Sequence, residues 1–495
     1  MKRLAWALAG LLILAMVGRD FVIATTFLGD DYLFRAFARL EHNPFIAFVA
    51  DKHGGEYYRP VPMLVWWVLE HVGGGQVWPF AIAGFLLHGT CALVLMLVAK
   101  RLGASRGAAW LSGILFFVSP AQREAALWFS ASTDLIAATA MLGSLACLLS
   151  GRRASRAGSL LLAGVAFFSK ETALVLPLLV ASVTWYLRAP GDRQARPLIR
   201  EILTAAVPFC AVAGGYLLVR SVVLGGIGGS NDPGAPFWAV TLQIFAGGSH
   251  AISAYSPLPD WAALVLGSAG LVAIGLVLRR SRLALVAAVW VLLAVLPLPA
   301  AGWVVGARYF YFCAAGLMLL AALALERARP WVSAAAIVAL LALGTVAATR
   351  RAFEVQLYRE AVAAAKAAVT DGVARGRRWF LVRGAVKDLD LALKLDPIDS
   401  SSVRNAVVIP DVPASFIWLP PAESDRVRFL LADPPLPPSG AYHFGGERIV
   451  GLARREDAPD LDEVLSRLPD LRIIRLALGS RPVSWQDATA EYLPR

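Results

Sequence analysis

Long apolar segments separated by short polar ones fill the chain up to Thr349. A helix needs about 20 apolar residues to cross a bilayer, and shorter helices are tolerated inside a larger bundle. The pattern therefore predicts an α-helical polytopic membrane protein with about eleven transmembrane helices, of which the third and fifth are the shortest. The expected spans are 4–28, 79–99, 107–119, 132–150, 158–168, 171–188, 202–223, 260–278, 283–298, 309–325 and 331–349.

The residues after Thr349 have the pattern of a water-soluble module. Phe353–Val373 has the spacing of an amphipathic helix, and short apolar runs bounded by Pro and Gly are typical of strands. Strands are expected at Trp379–Val382, Ala406–Pro410, Val427–Leu431, Ile449–Leu452 and Ile473–Leu478, with a helix at Asp460–Leu468. The sequence thus predicts a transmembrane domain over 1–349 and a small α/β domain over 350–495.

Basic residues occupy alternate loops between the expected spans, all on the side of Lys2 and Arg3. Their clusters lie within 100–106, 152–156, 188–200, 279–282 and 327–329. Because cytoplasmic loops carry the excess of Lys and Arg, the N-terminus is expected in the cytoplasm and the C-terminal domain outside it. Arg far outnumbers Lys, as is common in GC-rich bacteria, so we expect a bacterial inner membrane with a periplasmic C-terminal domain.

Composition agrees with a membrane protein: 58% of residues are hydrophobic, 17% are charged and the mean hydropathy is +0.62. Most of the net charge of +12 lies before Thr349, where 26 Lys and Arg stand against 15 Asp and Glu. This basic excess is therefore an orientation signal, and nucleic acid is not an expected partner. The four cysteines all fall in apolar segments, which indicates neither a disulfide framework nor a cysteine zinc site.

Two adjacent acids, Asp30 and Asp31, follow the first apolar segment directly. Asp is favoured at helix starts, and Tyr32–Leu40 has the pattern of a helix, but one Asp would satisfy that need. A carboxylate beside the membrane can instead deprotonate an acceptor hydroxyl as a general base. We favour this catalytic reading of the pair.

Isolated cations stand beside aromatic or acidic residues in other expected outer segments: Tyr58-Arg59, Lys170-Glu171 and Arg308-Tyr309. A guanidinium at headgroup depth can grip a phosphate through two hydrogen bonds, although a long cationic side chain can also simply reach toward the interface. A charge inside a membrane segment costs about 2.5–3.5 kcal/mol, so Lys170 must lie near the interface, be paired or be functional. Arg59, Lys170 and Arg308 are the candidates for binding one lipid phosphate.

Glu124 and Asp134 lie around another expected outer turn. They suit either a polar cap on a helical hairpin or a second acidic contact for acceptor or sugar hydroxyls. A divalent metal held together with the aspartate pair is a further use. We favour Glu124 over Asp134 for a catalytic role.

Sequence motifs of other enzyme classes are absent. We find no Walker loop, no Rossmann glycine fingerprint and no Gly-x-Ser-x-Gly elbow. The histidines lack metal-ligand spacing, and His88, inside an apolar run, is expected to be packed and hydrogen-bonded.

The order of the short motifs resembles that of the polytopic GT-C glycosyltransferases. The resemblance extends over about Gly29–Leu320 and is nearest to bacterial relatives of the transmembrane, tetratricopeptide-containing O-mannosyltransferases. It is more distant to the protein O-mannosyltransferases and the lipid A aminoarabinose transferases. The tail has no tetratricopeptide pattern. The motifs are Asp30-Asp31, Tyr58-Arg59-Pro60, Phe85-Leu86-Leu87-His88, Ser119-Pro120 with Glu124-Ala125 and Trp128, Asp134-Leu135, and Ser169-Lys170-Glu171-Thr172-Ala173.

The resemblance implies an inverting transfer of one sugar from a polyprenyl-phosphate donor to a protein, glycan or lipid acceptor at the outer membrane face. It implies Asp30 or Asp31 as the base, with Glu124 assisting. The donor phosphate would be bound by Arg59, Lys170 and Arg308, and further substrate contacts would come from Tyr58, Asp134, Glu171 and Tyr309. A divalent metal ion is the one cofactor left open.

Two other functions compete with this one. A transporter or lipid flippase would place charges at mid-membrane and often contains inverted repeats. A non-catalytic membrane scaffold would present the C-terminal domain to partners and would not need Asp30 or Asp31.

Overall fold

The computed structural model describes the greater part of the membrane region and parts of the C-terminal region. The described residues are 18, 20, 27, 31–50, 57–119, 122–188, 195–226, 260–297, 307–375, 379–384, 428–429, 431–432, 443–444, 447–448, 451–452, 471–477 and 484–487. The expected first span, the strand at 406–410 and the helix at 460–468 thus lie wholly or almost wholly outside the described residues, and Asp30 does also.

The chain divides into two compact units. The first, here called the helical unit, comprises Met1–Ala24, Phe45–Val65 and Trp78–Ala348. The second unit comprises Thr25–Pro44, Trp66–Val77 and Thr349–Arg495. The division into domains at 349/350 stays a prediction.

Helices dominate the described residues. They are α1 (Asp31–Leu40), α2 (Pro60–Gly73), α3 (Trp78–Arg101), α4 (Arg106–Val118), α5 (Arg123–Leu127), α6 (Ser132–Leu148), α7 (Arg153–Phe167), α8 (Leu176–Leu187), α9 (Ala195–Leu224), α10 (Asp260–Leu278), α11 (Arg282–Val295), α12 (Tyr311–Glu326) and α13 (Pro330–Ala374). Short 3-10 turns occur at Pro44–Phe48, Phe129–Ala131, Glu171–Val175 and Ala307–Phe310.

Four segments within the described residues are long and apolar enough to cross a membrane: Trp78–Arg101, Phe129–Leu148, Leu198–Leu224 and Arg308–Glu326. Six shorter apolar helices accompany them. The chain is therefore a multi-pass membrane protein of the helical type expected from the sequence.

Close helix packing in the helical unit depends on small residues. A Cβ atom at Gly84 of α3 would come within 2.7 Å of the carbonyl oxygen of Ala126, so glycine lets α3 and α5 touch. A Cβ atom at Gly316 of α12 would meet the Ala287 carbonyl oxygen at 3.2 Å and Val291 at 3.0 Å. Such contacts are common between membrane helices, where small residues let backbones approach.

In the second unit, α1 buries one face formed by Asp31, Phe34, Arg35 and Ala38. This spacing is that of a helix with one buried stripe. The Arg35 guanidinium donates to both carboxylate oxygens of Glu70, at 2.9 Å each.

The described strands of the C-terminal region are β1 (Trp379–Gly384), β2 (Arg428–Phe429), β3 (Leu431–Ala432), β4 (His443–Phe444), β5 (Glu447–Arg448), β6 (Gly451–Leu452), β7 (Leu471–Ala477) and β8 (Ser484–Asp487). They form three small sheets. A four-stranded sheet has the order β2-β1-β7-β8, with β1 parallel to β2 and β7, and β7 antiparallel to β8. The β3–β6 pair is parallel and the β4–β5 pair is antiparallel.

Two helices differ from the sequence-based bounds. The span expected at 171–188 is a 3-10 turn followed by α8, because Pro177 at the second helical position lacks an N–H and favours a helix start there. The span expected at 331–349 and the separate helix from Phe353 form the single helix α13. No Pro or Gly interrupts the chain between Thr345 and Asp371, so nothing local ends the helix.

Candidate functional site

Four cations from separate segments of the helical unit lie near one another, and we call them the cation cluster: Arg59, Lys170, Arg220 and Arg308. They stand just before α2, just after α7, in the last turns of α9 and just before α12. Among the described side chains, the carboxylates of Asp134 and Glu171 contact this cluster. The cluster therefore sits where helices begin and end.

Glu171 bridges two of the cations. Its Oε2 accepts hydrogen bonds from Nε and Nη2 of Arg59 at 3.1 and 2.8 Å, and its Oε1 accepts from Nη1 of Arg220 at 2.6 Å. Burial acts to raise the pKa of the Glu171 carboxyl, but the two guanidinium groups outweigh burial and lower this pKa to about 2. Burial acts to lower the pKa of Arg59, yet Glu171 raises it above its ordinary value.

Lys170 forms a third ion pair in the site, with Asp134. Its Nζ donates to Oδ2 of Asp134 at 2.5 Å, and the two side chains are only 3% and 6% exposed. Burial lowers the pKa of the Lys170 ammonium, with the Asp134 carboxylate acting in the opposite direction. The ammonium also lies 4.4 Å from the centre of the Tyr309 ring, a distance suited to a cation–π contact.

Arg308 lies between aromatic rings. Its guanidinium carbon is 4.2 Å from the centre of the Trp128 ring and 4.8 Å from that of Tyr309. Aromatic faces attract a guanidinium and hold its plane in place. Tyr309 thus contacts both Arg308 and Lys170 and connects these two cations.

Aromatic side chains pack behind Arg59 and Arg220. The Tyr216 hydroxyl accepts a hydrogen bond from Arg220 at 3.1 Å, and the Tyr216 ring stacks on Tyr58 at 6.1 Å. The Tyr58 hydroxyl donates to the Phe48 carbonyl at 2.8 Å, and its side chain is buried. In this position Tyr58 packs behind the cations, and its expected contact with substrate stays a prediction.

The structure brings together six of the residues singled out in the sequence: Arg59, Asp134, Lys170, Glu171, Arg308 and Tyr309. Asp31 begins α1 in the second unit and is fully buried. Asp30 and the side chain of Glu124 lie outside the described residues. The roles of all these residues remain proposals.

Sequence reasoning missed Arg220 and gave no role to Trp128. Arg220 is a charge in the last turns of the longest apolar helix of membrane-spanning length. The cost of placing a charge in a membrane segment was a usable signal there. Trp128 follows Glu124 in a segment already marked as polar, but a tryptophan at a membrane surface is too common to be singled out.

A metal site is not formed by the described residues, because no three His, Cys, Asp or Glu side chains among them cluster. The expected metal-binding use of Asp30 and Glu124 falls outside the described residues.

Replacing Glu171 with Gln is expected to lower stability in a pH-dependent manner. A carboxyl whose pKa falls to about 2 on folding stabilises the protein above its ordinary pKa of 4.5, and this stabilisation is lost as the pH falls toward 2. The difference in Tm between wild type and E171Q, measured in detergent micelles, should therefore be largest above pH 4.5 and shrink below it.

Glu201→Gln is the matched control. Glu201 pairs with Arg188 at 2.5 Å, but its side chain is 52% exposed, and exposed pairs contribute little. E201Q should leave Tm nearly unchanged at every pH. An equal, pH-independent loss for E171Q would contradict the bridging role of Glu171.

Comparison with known proteins finds likenesses in fold only. No protein-family model and no curated protein matches the chain. Among solved structures, the chain is similar to ArnT from Cupriavidus metallidurans in the apo state, with 16% identity, 96% of this chain and 93% of that chain covered, and a TM-score of 0.49. The same protein bound to undecaprenyl phosphate gives 14% identity, 95% and 93% coverage, and a TM-score of 0.48.

The Archaeoglobus fulgidus oligosaccharyltransferase, solved as a complex with zinc and sulfate, is also similar. It has 14% identity over 72% of this chain and 55% of its own length, with a TM-score of 0.39. The activity has to be argued from this chain's own residues.

Proposed function

We propose that the protein is an inverting glycosyltransferase. It moves one sugar from a polyprenyl-phosphate donor to an acceptor hydroxyl at the outer face of the bacterial inner membrane. In this proposal the cation cluster binds the donor phosphate, and Asp30 or Asp31 serves as general base, with Glu124 assisting. Tyr309 and Trp128 hold the cations that face the phosphate.

The observation that carries the proposal is the convergence of Arg59, Lys170 and Arg308. They come from three separate segments of the chain, and each was a phosphate candidate from its own local sequence. Lys170 and Arg308 both contact the Tyr309 ring, and Lys170 lies close enough to Arg59 and to Arg308 for their charges to interact. A chain that needed these cations only as membrane anchors would have no reason to gather them, because like charges repel.

The chemistry requires one base and a site for negative charge. The base takes the proton of the acceptor hydroxyl, and the acceptor oxygen attacks the anomeric carbon of the sugar from the face opposite the phosphate. The bond between that carbon and the phosphate oxygen breaks, and both electrons leave with the polyprenyl phosphate. Fixed cations beside that oxygen stabilise the charge as it develops, which is a large term in catalysis.

The two alternatives fit the site less well. A transporter or flippase is expected to place its ionic groups near the middle of the membrane. The cation cluster instead lies at helix ends and in the turns between helices. A scaffold gives no reason for a buried ion pair such as Lys170–Asp134, which costs desolvation to form.

Mass spectrometry of envelope glycans, with and without the gene, tests the proposed function directly. A glycan or glycoprotein that lacks one sugar in the deletion strain, and regains it on complementation, is the expected result. An identical glycan profile in both strains would refute the proposal.

Arg308→Ala is expected to raise the KM for the donor by about 10-fold or more, because a charge-assisted hydrogen bond contributes about 1.5–3 kcal/mol. The KM for the acceptor should change much less. Steady-state kinetics in detergent, with each substrate varied in turn, measures the two effects separately.

Arg282→Ala is the matched control. The Arg282 guanidinium lies 5.7 Å from the ring centres of Trp185 and Tyr186, and its Nη2 donates to the carbonyls of Tyr186 and Arg188. Arg282 is thus also flanked by aromatic rings, but it lies at the C-terminal end of α8, whereas Lys170 and Glu171 precede the N-terminal end of that helix. Equal changes in donor KM for R282A and R308A would remove Arg308 from the phosphate site.

A further inference from the structure

A second polar cluster lies inside the helical unit, among residues that were not candidates for a functional role. His88 of α3, Phe117 of α4 and Tyr311 of α12 meet there. The side chains of His88 and Tyr311 are buried, at 4% and 1% exposure. The imidazole stacks on the Phe117 ring, with ring centres 5.1 Å apart.

The hydrogen bonds fix the tautomer of His88. Its Nε2 lies 3.2 Å from the Phe117 carbonyl oxygen, which can only accept, so Nε2 carries the proton. A charged imidazole inside a membrane helix would cost several kcal/mol, so the ring is neutral. Its Nδ1 is then an acceptor, and the Tyr311 hydroxyl, 2.7 Å away, donates to it.

The Phe117 carbonyl belongs to the last turn of α4, where backbone carbonyls lack partners within the helix. His88 therefore satisfies the end of α4 and at the same time holds the start of α12. A second buried bond holds the same start from another side, since Trp290 Nε1 donates to the Phe312 carbonyl at 3.2 Å.

Tyr311 is the first residue of α12, and the 3-10 turn directly before it carries Arg308 and Tyr309. With a rise of about 2 Å per residue, Tyr309 lies only about 4 Å along the chain axis from Tyr311. A displacement of Tyr311 is therefore expected to move Tyr309 and Arg308 with it.

We infer that His88 is a positioning residue for the donor phosphate: through Tyr311 it sets the place of Tyr309 and Arg308 within the cation cluster. This inference rests on the proposed function, because the effect of His88 is expressed as donor binding. Among the described side chains, the hydrogen bonds of His88 go to Tyr311 and Phe117 and not to the cation cluster. Its effect on the cluster would therefore pass through the first residues of α12.

The test compares His88→Leu, Tyr311→Phe and His88→Gln. Leucine removes both hydrogen bonds, whereas the glutamine amide can donate to the Phe117 carbonyl and accept from Tyr311. H88L and Y311F should each raise the donor KM by about 10-fold, since a displacement near 1 Å can cost up to 10²-fold. H88Q should stay close to wild type, and H88L/Y311F should be no worse than either single variant.

Ser144→Ala is the control for a loss of stability alone. Ser144 and Ser159 exchange buried hydrogen bonds between α6 and α7, with Oγ–O distances of 2.8 Å. S144A should lower Tm in detergent and leave the donor KM unchanged. If H88L behaves like S144A, or if H88Q is as impaired as H88L, the positioning role is overturned.

Binding of an unsubstituted long-chain polyprenyl phosphate, measured by its effect on Tm, separates this inference from the proposed function. No saturable shift for the wild type would overturn both together. A normal wild-type shift with equal apparent affinity in H88L and Y311F would overturn the positioning role and leave the proposed function standing.

Discussion

Asp30→Asn combined with Asp31→Asn is expected to abolish sugar transfer, with a loss of about 10²–10⁴-fold in kcat, the usual contribution of a general base. The donor KM should change little, because the cations that bind phosphate are untouched. Asn and Asp are similarly favoured at helix starts, so α1 is expected to form in the double variant. The rate of transfer at saturating donor, together with the thermal shift by polyprenyl phosphate, measures both effects.

Asp260→Asn is the matched control, because Asp260 is the first residue of α10, as Asp31 is of α1. Its transfer rate should equal that of the wild type. The single variants D30N and D31N assign the base to one position. Transfer at the wild-type rate by the double variant would remove the aspartate pair from catalysis.

Lys170→Met is expected to lower the free energy of unfolding by about 3–5 kcal/mol, the cost of leaving one member of a buried ion pair uncompensated. It should also weaken donor use, because one cation of the site is lost. Adding Asp134→Asn removes the stranded carboxylate, so K170M/D134N should regain most of the stability and none of the donor use. Denaturant unfolding and donor kinetics of the same preparations separate the two effects.

The exposed pair Arg188–Glu201 provides the control for this cycle. Removing both partners there should cost about 1 kcal/mol or less. If K170M/D134N recovers activity together with stability, the Lys170–Asp134 pair supports the fold and takes no part in phosphate binding.

Helix positions were largely predictable from the sequence. Apolar runs of membrane length are set by one local property, so the expected span at 260–278 coincides with α10, and that at 79–99 differs from α3 by one or two residues at each end. The errors occur where local signals conflict. Pro177 divides one expected span, and the change from apolar to charged residues at Thr349 suggested a helix end that the backbone does not require.

The partners of the ionic residues were not predictable. Arg59 and Glu171 are 112 residues apart, and Lys170 and Asp134 are 36 apart. Sequence could establish that Lys170 needed a partner, because an unpaired charge at that depth is costly. It could not establish which carboxylate would be adjacent, since that depends on how α6, α7 and α9 pack. For Arg220, a charge in an apolar helix, sequence likewise offered a signal that a partner was needed but not that this partner is Glu171.

The carboxylate that bridges Arg59 and Arg220 bears on the timing of charge stabilisation. A sugar-linked polyprenyl phosphate is a diester with one negative charge. The Glu171 carboxylate carries the same charge and already occupies the two arginines, so it competes with the donor phosphate for them. When the bond to the sugar breaks, the departing monoester gains a second charge that the glutamate cannot match. Glu171 thus weakens the attraction of the two guanidinium groups for the intact donor more than their attraction for the leaving group. Their binding energy is therefore gained mainly late along the reaction coordinate, where it lowers the barrier of the transfer step.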